Sequence, residues 1–264
     1  MPPVNAHPPL PVIGADGCPL GPTHDAWVGF IITHANQPPR VFHARTTRDL
    51  WSFAQSHNVQ RIDLDVPIGL PTVGPREADT LARKLLGPRR ASVFPAPQRW
   101  LLNFTDIHRA DAYKRRVLKQ TTKVQRQMFN ILPRIRAVDD LLRTEPTARA
   151  IISEVHPELC FWSLNARTPL DHPKRTDEGF AERLSILARF IDNPLPLITA
   201  AHATTKPLGV NRDDLIDALV CLVTAMAPPS HRQTIPPTPP LDEHQLPMQM
   251  VFRTLEPQTA PPVA

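Results

Sequence analysis

Residues 61–71 read RIDLDVPIGLP and have the pattern of a β-strand. Apolar side chains at Ile62, Leu64 and Val66 alternate with two acidic residues, so one face of the segment is apolar and the other is acidic. Pro67 ends the strand, because proline has no amide hydrogen for the next rung of a sheet. The position of this strand among the other elements decides the fold class.

The residues before this strand predict three more strands and one helix. Apolar runs separated by glycine, proline or asparagine turn signals predict strands at PVIGADGC (11–18), AWVGFIITHA (26–35) and RVFHARTT (40–47). Apolar residues at near-helical spacing predict an amphipathic helix at TTRDLWSFAQSHNV (46–59). Three adjacent strands, a helix and a further strand predict an α/β sheet.

The residues after it predict mainly helices. The basic middle of the chain is expected to be helical from 110 to 142 with a break at Pro133, and RAIISEVHPELCFW (149–162) is expected to be strand-like. Further helices are predicted at READTLARKLLG (76–87), at 177–191 and at NRDDLIDALVCLVTAMA (211–227).

The last of these helices carries three aspartates near its start. At about 100° per residue, Asp213, Asp214 and Asp217 share one narrow face, away from the apolar face. Asn211 or Asp213 is expected to cap the helix, and early acids suit the positive end of its dipole. Asp217 lies a full turn further in, where a buried charge is costly unless a cation or a metal matches it.

Composition predicts one domain with a disordered tail at each end. A chain of 264 residues can bury a single large core. Of its 33 prolines, 15 lie in residues 1–11 and 228–264, which otherwise show little hydrophobic pattern. We therefore expect a domain at 12–227 between two disordered, Pro-rich tails.

Charge is segregated along the chain. The segment from Arg83 to Arg136 contains 14 Lys or Arg but only two acids, Asp106 and Asp111, so it carries +12 although the whole chain carries only +5. Such a concentrated basic segment predicts a polyanionic partner. The alternative is a solvated helix face without a partner.

Cysteine use and hydropathy predict the compartment. The three cysteines are isolated and form no zinc or disulfide spacing, as in a reducing cytoplasm. The N-terminal residues have no leader pattern, and no apolar run approaches the roughly 20 residues of a membrane span. We expect a cytoplasmic protein without a membrane partner.

Acidic residues at the ends of elements predict a site. Asp16 ends the first predicted strand, Asp65 ends the fourth, and Asp214 and Asp217 lie on the last helix, so one edge of the sheet can bring them together. Converging carboxylates repel one another unless a cation lies between them, and hard divalent ions with oxygen ligands suit that position. Two such ions about 4 Å apart can activate a water and stabilise a leaving oxygen in phosphodiester cleavage.

Several ordered sequence blocks resemble the domain-of-unknown-function 429 (DUF429) family, described as predicted RNase H-like nucleases. The resemblance extends from about Val12 to Ala227. Its blocks are IGADGCPLG (13–21), DVPIGLP (65–71), RxxDxxAR (76–83), SVFPAP (92–97), EVHPELCF (154–161), KRTDEGFAER (174–183) and DDLIDALVCLVTA (213–225). PLGPTHDA (19–26) departs from the family pattern by adding residues before Trp27, which predicts a longer hairpin next to Asp16.

The resemblance implies a fold and metal ligands. The fold is an RNase H-like mixed central sheet, an antiparallel three-strand meander plus parallel strands, flanked by helices. By similarity to RuvC-type junction resolvases, Asp214 and Asp217 bind metal, Asp16 bridges the metals and Asp65 supplies the strand-four acid. In this scheme Asp213 can replace Asp214.

The block at 154–161 adds candidates outside the aspartate set. Glu154 is a further catalytic candidate, in the same block as His156 and Glu158. His156 is expected either to shuttle a proton or to form a structural hydrogen bond.

The combined prediction is a nuclease that uses Mg²⁺ or Mn²⁺ to hydrolyse phosphodiester bonds in DNA or RNA. The basic segment holds phosphates, and Arg76, Arg83 and Lys174 either contact the scissile phosphate or form surface ion pairs. One alternative is a sugar kinase or ATPase-like phosphoryl-transfer protein of related fold. The other is a non-catalytic nucleic-acid-binding protein.

Overall fold

A five-stranded mixed sheet lies at the centre of the computed structural model, which describes residues 10–18 and 25–257. The strands are β1 (Val12–Gly17), β2 (Trp27–Ile32), β3 (Arg40–Ala44), β4 (Arg61–Leu64) and β5 (Ile152–Glu154). Their order is β3-β2-β1-β4-β5. The first three strands form an antiparallel meander, and β4 and β5 run parallel to β1. The predicted α/β class is confirmed, and the sheet is consistent with an RNase H-like arrangement.

Helices cover both faces of the sheet. They are α1 (Thr47–Ser56), α2 (Glu77–Leu86), α3 (Ile107–Arg116), α4 (Arg126–Thr144), α5 (Pro146–Ile151), α6 (Pro157–Leu164), α7 (Asp177–Leu187), α8 (Pro194–Thr205) and α9 (Arg212–Ala225). Alternation along β1 divides the core, because Ile13 and Ala15 pack with α1 and α4 whereas Val12 packs with α2, α6, α7 and α9. None of the helices in the described parts of the chain is long and apolar enough to cross a membrane.

Two predicted elements have different boundaries in the structure. Helix α4 continues through Pro133 without the expected break. Proline in a helix interior costs about 3 kcal/mol, whereas burying Leu132 and Ile135 on either side contributes roughly 1.5–3 kcal/mol each. The segment 149–162 was predicted to be strand-like but is mostly helical. Pro157 suits the first turn of a helix and starts α6 directly after β5.

The predicted C-terminal tail is folded from 228 to 257. It forms an antiparallel pair, β6 (Arg232–Ile235) and β7 (Met250–Arg253), and buries Ile235 and Val251 in the core. The proline count misled the prediction, because the prolines lie before, between and after these strands rather than within them. The rest of the predicted tails, at 1–9 and 258–264, and residues 19–24 of the predicted longer hairpin lie outside the described residues.

The close contact between α9 and β1 determines which residues of the helix and the strand lie next to each other at the site. A Cβ atom at Gly14 would lie 1.8 Å from the backbone nitrogen of Leu222, so only glycine allows this approach. Asp217 lies about 7.5 Å back along the helix axis from Leu222, and Asp16 lies about 6.6 Å forward along the strand from Gly14. The crossing at Gly14 therefore brings Asp217 level with Asp16.

Candidate functional site

A cavity of about 370 Å³ lies where β1 and β4 end. Asp16, Asp65 and Asp217 line it, and we refer to it as the acidic cavity. Helix α4 contributes to its wall from one side of the sheet, and α9 contributes from the other. The carboxylates come from three elements that are distant in sequence.

Asp16 and Asp65 are neighbours because β1 and β4 are parallel. Ala15 pairs with Leu64, and the Asp65 amide donates to the Ala15 carbonyl at 3.1 Å. The side chains of Asp16 and Asp65, one residue further along each strand, therefore lie side by side. The two carboxyl groups share a hydrogen bond. Burial and the charge of Asp65 raise the pKa of Asp16 well above its usual range, and burial also raises the pKa of Asp65.

Asp217 enters from α9 and is paired with Lys174. The Lys174 Nζ atom lies 2.6 Å from an Asp217 carboxylate oxygen. Burial raises the pKa of Asp217 to about 6, although Lys174 acts in the opposite direction. Burial would lower the pKa of Lys174, but Asp217 and Asp16 hold it above its usual value. Lys174 is thus the counter-charge of a group of carboxylates rather than of one partner.

The loop that carries Lys174 is tightly packed. A Cβ atom at Gly179 would lie 1.9 Å from the Pro173 carbonyl oxygen, so the loop approaches α7 more closely than an alanine would permit. The buried Arg183 donates to the His172 carbonyl at 3.3 Å, and Glu182 accepts from the His172 amide at 3.1 Å. This packing aims Lys174 at the aspartates.

The donor set of the acidic cavity suits a hard divalent ion. The acidic side chains that line it offer carboxylate oxygens, which are the ligands that Mg²⁺ and Mn²⁺ prefer. Within the described part of the chain, however, no three His, Cys, Asp or Glu side chains already have the spacing of a metal site. Asp16 and Asp65 are within hydrogen-bond distance of each other, whereas Lys174 occupies one oxygen of Asp217 and would compete with a cation for it. The ligand chemistry therefore fits a metal that displaces Lys174.

Asp214 has a different role from Asp217. Its carboxylate accepts from the Asn211 amide at 2.8 Å and from the Asn211 side chain at 3.3 Å, which caps α9. Asn211, one of the two residues expected to cap the helix, is its N-cap, whereas the other, Asp213, lies 3.9 Å from Lys174. The charge of Asp214 still contributes to the raised pKa of Asp16, but its side chain does not line the acidic cavity.

The profile of the DUF429 family, described as a protein of unknown function, matches residues 14–241. This chain belongs to the DUF429 family. The match includes every residue placed so far in the acidic cavity. No curated protein and no solved structure gives a significant match.

Two predicted site residues of this DUF429 protein form a buried ion pair away from the acidic cavity. Both Arg76 Nη atoms donate to Glu154 at 2.7 Å, and Arg76 also binds Asp79 at 2.6 Å. Glu154 accepts in addition from the Ile68 amide at 2.6 Å. With all of these side chains almost inaccessible to solvent, the geometry gives Glu154 and Arg76 a structural role rather than a catalytic or substrate-binding one.

Of the two remaining candidates, His156 lines the acidic cavity and Arg83 does not. Arg83 donates to the carbonyls of Arg90 at 3.0 Å and Val93 at 2.7 Å, so it holds a loop instead of pointing into the acidic cavity. His156 does line the acidic cavity, with Nε2 3.3 Å from the Ser92 carbonyl. Its buried Nδ1 has no hydrogen-bond partner among the described residues.

Arg134 is a charged residue of the acidic cavity that the sequence did not single out. It extends from α4, donates to the Cys18 carbonyl at 2.9 Å and lies over the ring of Trp27. The absence of a side chain at Gly17 makes room for its guanidinium group, since a Cβ atom there would lie 2.0 Å from Cζ. Its charge acts to lower the pKa of Asp65. The only sequence signal was its membership of the basic segment.

Proposed function

We propose that this protein is a divalent-metal-dependent nuclease that hydrolyses phosphodiester bonds in DNA or RNA. The observation that carries the proposal is the convergence of Asp16, Asp65 and Asp217 from β1, β4 and α9 on one cavity. Their raised pKa values indicate that ionised carboxylates are poorly compensated there. Such an arrangement costs stability and is typical of functional sites.

The chain's own residues have distinct tasks in this proposal. Asp16 and Asp65 would hold Mg²⁺ or Mn²⁺, and Asp217 would join them when Lys174 leaves. When bound, the metal supplies a water of lowered pKa and stabilises the leaving oxygen. In this proposal Lys174, released from Asp217, and Arg134 would bind the scissile phosphate, since both line the acidic cavity. His156 lines the same cavity and would exchange a proton there.

The basic segment supplies phosphate contacts at only part of its length. Several of its arginines already bind carboxylates or carbonyls of the protein away from the aspartates of the acidic cavity: Arg83, Arg89, Arg99 and Arg136. Five of its eight exposed cations cluster around the connection between α3 and α4: Arg115, Arg116, Lys119, Lys123 and Arg126. Because Gln127 and Met128 of α4 line the acidic cavity, this cluster adjoins it and can hold a strand without specifying its sequence.

Metal-dependent cleavage of a panel of DNA and RNA substrates tests the proposal. We expect the unmodified protein to cleave at least one substrate with Mn²⁺ or Mg²⁺. Asp16→Asn and Asp217→Asn should lower the rate by more than about 100-fold. Asp140→Asn, an exposed acid on α4, is the matched control and should leave the rate unchanged.

Other outcomes separate the alternatives. Equal cleavage by all four proteins would exclude a catalytic role of the acidic cavity. ATP turnover without nucleic-acid cleavage would support the phosphoryl-transfer alternative. Nucleic-acid binding without any metal-dependent cleavage would support a non-catalytic protein.

A further inference from the structure

A second cavity of about 370 Å³ lies beside the acidic cavity, and its charged lining residues are mainly cations. Residues of α7, α8 and the first turn of α9 form its walls. Lys174, Arg175, Lys206 and Arg212 contribute four positive charges, and Asp213 is the one carboxylate among its lining residues. We call it the basic cavity. It lies outside the basic segment 83–136, so the charge distribution along the sequence did not predict it.

The two cavities adjoin each other. Lys174 and Arg175 line both of them, so one residue pair forms the boundary between the carboxylates and the basic cavity. The exposed cations at the α3–α4 connection approach the acidic cavity from the α4 side of the sheet, whereas the basic cavity belongs to the α9 side. The carboxylates therefore lie between two positive surfaces.

The cations of the basic cavity can exchange partners at little cost. The Arg175 side chain is 86% exposed and lies 3.7 Å from Asp213. Arg212 lies 3.3 Å from the exposed Asp177, and Lys206 is also exposed. Exposed ion pairs contribute only about 0–1 kcal/mol, so a phosphate can replace these carboxylates. Arg212 is already positioned, because its guanidinium lies over the Phe180 ring at 4.7 Å.

We propose that the basic cavity is a phosphate-binding subsite for a nucleic-acid strand whose neighbouring phosphate lies over the acidic cavity. This inference rests on the proposed function for the position of the reacting phosphate. The strand would extend from the α3–α4 connection, across the carboxylates, to Lys206 and Arg212. Because the lining groups are cations that meet backbone phosphates, the subsite contributes affinity and strand direction without sequence preference.

Binding measured without metal tests this proposal separately from catalysis. The probe is a fluorescein-labelled 20-nucleotide single strand, DNA in one arm and RNA in the other, followed by anisotropy in EDTA over a range of NaCl concentrations. Lys206→Ala/Arg212→Ala should weaken binding about 10-fold or more at 50 mM salt. It should also reduce the slope of log affinity against log salt by about 1.4, since each lost contact to a single strand is worth about 0.7.

Two matched variants sharpen the test. Arg40→Ala/Arg143→Ala removes the same charge from exposed positions at the start of β3 and the end of α4, away from both cavities, and should alter the slope little. Asp213→Asn removes the one carboxylate of the basic cavity and should tighten binding. Thermal unfolding of each variant establishes that it is folded before binding is compared.

The outcomes distinguish this inference from the proposed function. Binding by Lys206→Ala/Arg212→Ala with an unchanged affinity and slope would overturn the subsite, even if the unmodified protein cleaves nucleic acid. A reduced slope in a protein that cleaves nothing would support the subsite and contradict the nuclease. Competition by inorganic phosphate at the concentration at which the 20-mer competes would overturn the assignment to a nucleic-acid strand.

Discussion

At the scale of the residue, the electrostatics of the acidic cavity depend on Lys174. Its ammonium group lies 2.6 Å from Asp217, and its charge also opposes the raised pKa values of Asp16 and Asp65. One lysine is thus shared among three carboxylates. The protein without metal carries an electrostatic cost that one cation reduces but does not remove.

Replacement of Asp16 should stabilise the protein when no metal is present. Its pKa is raised in the folded state, chiefly by burial and by Asp65, so the ionised form is disfavoured by folding. This cost is absent below the unfolded pKa of about 4 and grows as the pH rises towards the folded value. We therefore expect Asp16→Asn to raise the Tm at pH 8 in EDTA, by about 2–4 °C per kcal/mol recovered.

The pH dependence of this Tm difference and its response to metal test whether the charge of Asp16 is its cause. The Tm difference between Asp16→Asn and the unmodified protein should disappear near pH 4, where both are uncharged at this position. Millimolar Mg²⁺ or Mn²⁺ should raise the Tm of the unmodified protein more than that of the variant. A Tm advantage that is equal at pH 4 and pH 8 would show that charge is not its origin.

A charged residue with no partner nearby in the sequence could be recognised as a candidate for the site. Asp217 was predicted from its position inside an apolar helix, and the structure places it in the acidic cavity. Glu154 and Arg76 belong to different sequence blocks, and only the fold shows that they neutralise each other in the core. Pairing between distant residues cannot be derived from spacing along one chain.

At the scale of the element, the approach of α9 to β1 determines the site. The apolar run of β1 and the alternating pattern of β4 were sufficient to predict that Asp16 and Asp65 lie at the ends of their strands. The pattern gave no information on how far α9 approaches the sheet. That distance depends on Gly14, whose role becomes visible only through its contact with Leu222.

Gly14→Ala should both destabilise the protein and misplace Asp217. The added methyl group would lie 1.8 Å from backbone atoms that cannot rotate away, so α9 must shift. We expect a loss of about 3 kcal/mol or more in the free energy of unfolding, measured in urea, together with weaker metal binding. Gly87→Ala is the control, because its methyl group meets no atom within 4 Å and costs only backbone strain of about 1 kcal/mol. Equal losses for both variants would contradict the packing argument.

At the scale of the whole molecule, the segment 228–257 is part of the domain. Arg232 of β6 donates to both oxygens of the fully buried Asp63, at 2.7 and 2.9 Å. Asp63 was predicted on the acidic face of its strand, but its partner lies 169 residues away in a segment expected to be disordered. Composition underestimated this segment because three of its few apolar residues, Met250, Val251 and Phe252, lie next to one another in β7.

The pair between Asp63 and Arg232 gives a test of this anchoring. Arg232→Met leaves the buried Asp63 carboxylate without the two guanidinium contacts, so we expect it to cost about 3–5 kcal/mol. The double variant Asp63→Asn/Arg232→Met removes the buried charge and should recover part of that loss. A double-mutant cycle in urea measures the coupling. Additive losses would mean that the C-terminal segment is not fixed to the sheet by this contact.

The central claim is that the carboxylates of the acidic cavity bind a divalent ion that displaces Lys174. Titration of the protein with Mn²⁺, followed by electron paramagnetic resonance of the free ion, measures this binding directly. We expect saturable binding by the unmodified protein and by Asp140→Asn, tighter binding by Lys174→Met, and a loss of more than about 100-fold in affinity for Asp16→Asn. Equal Mn²⁺ affinity in Asp16→Asn and the unmodified protein, or weaker binding by Lys174→Met, would contradict it.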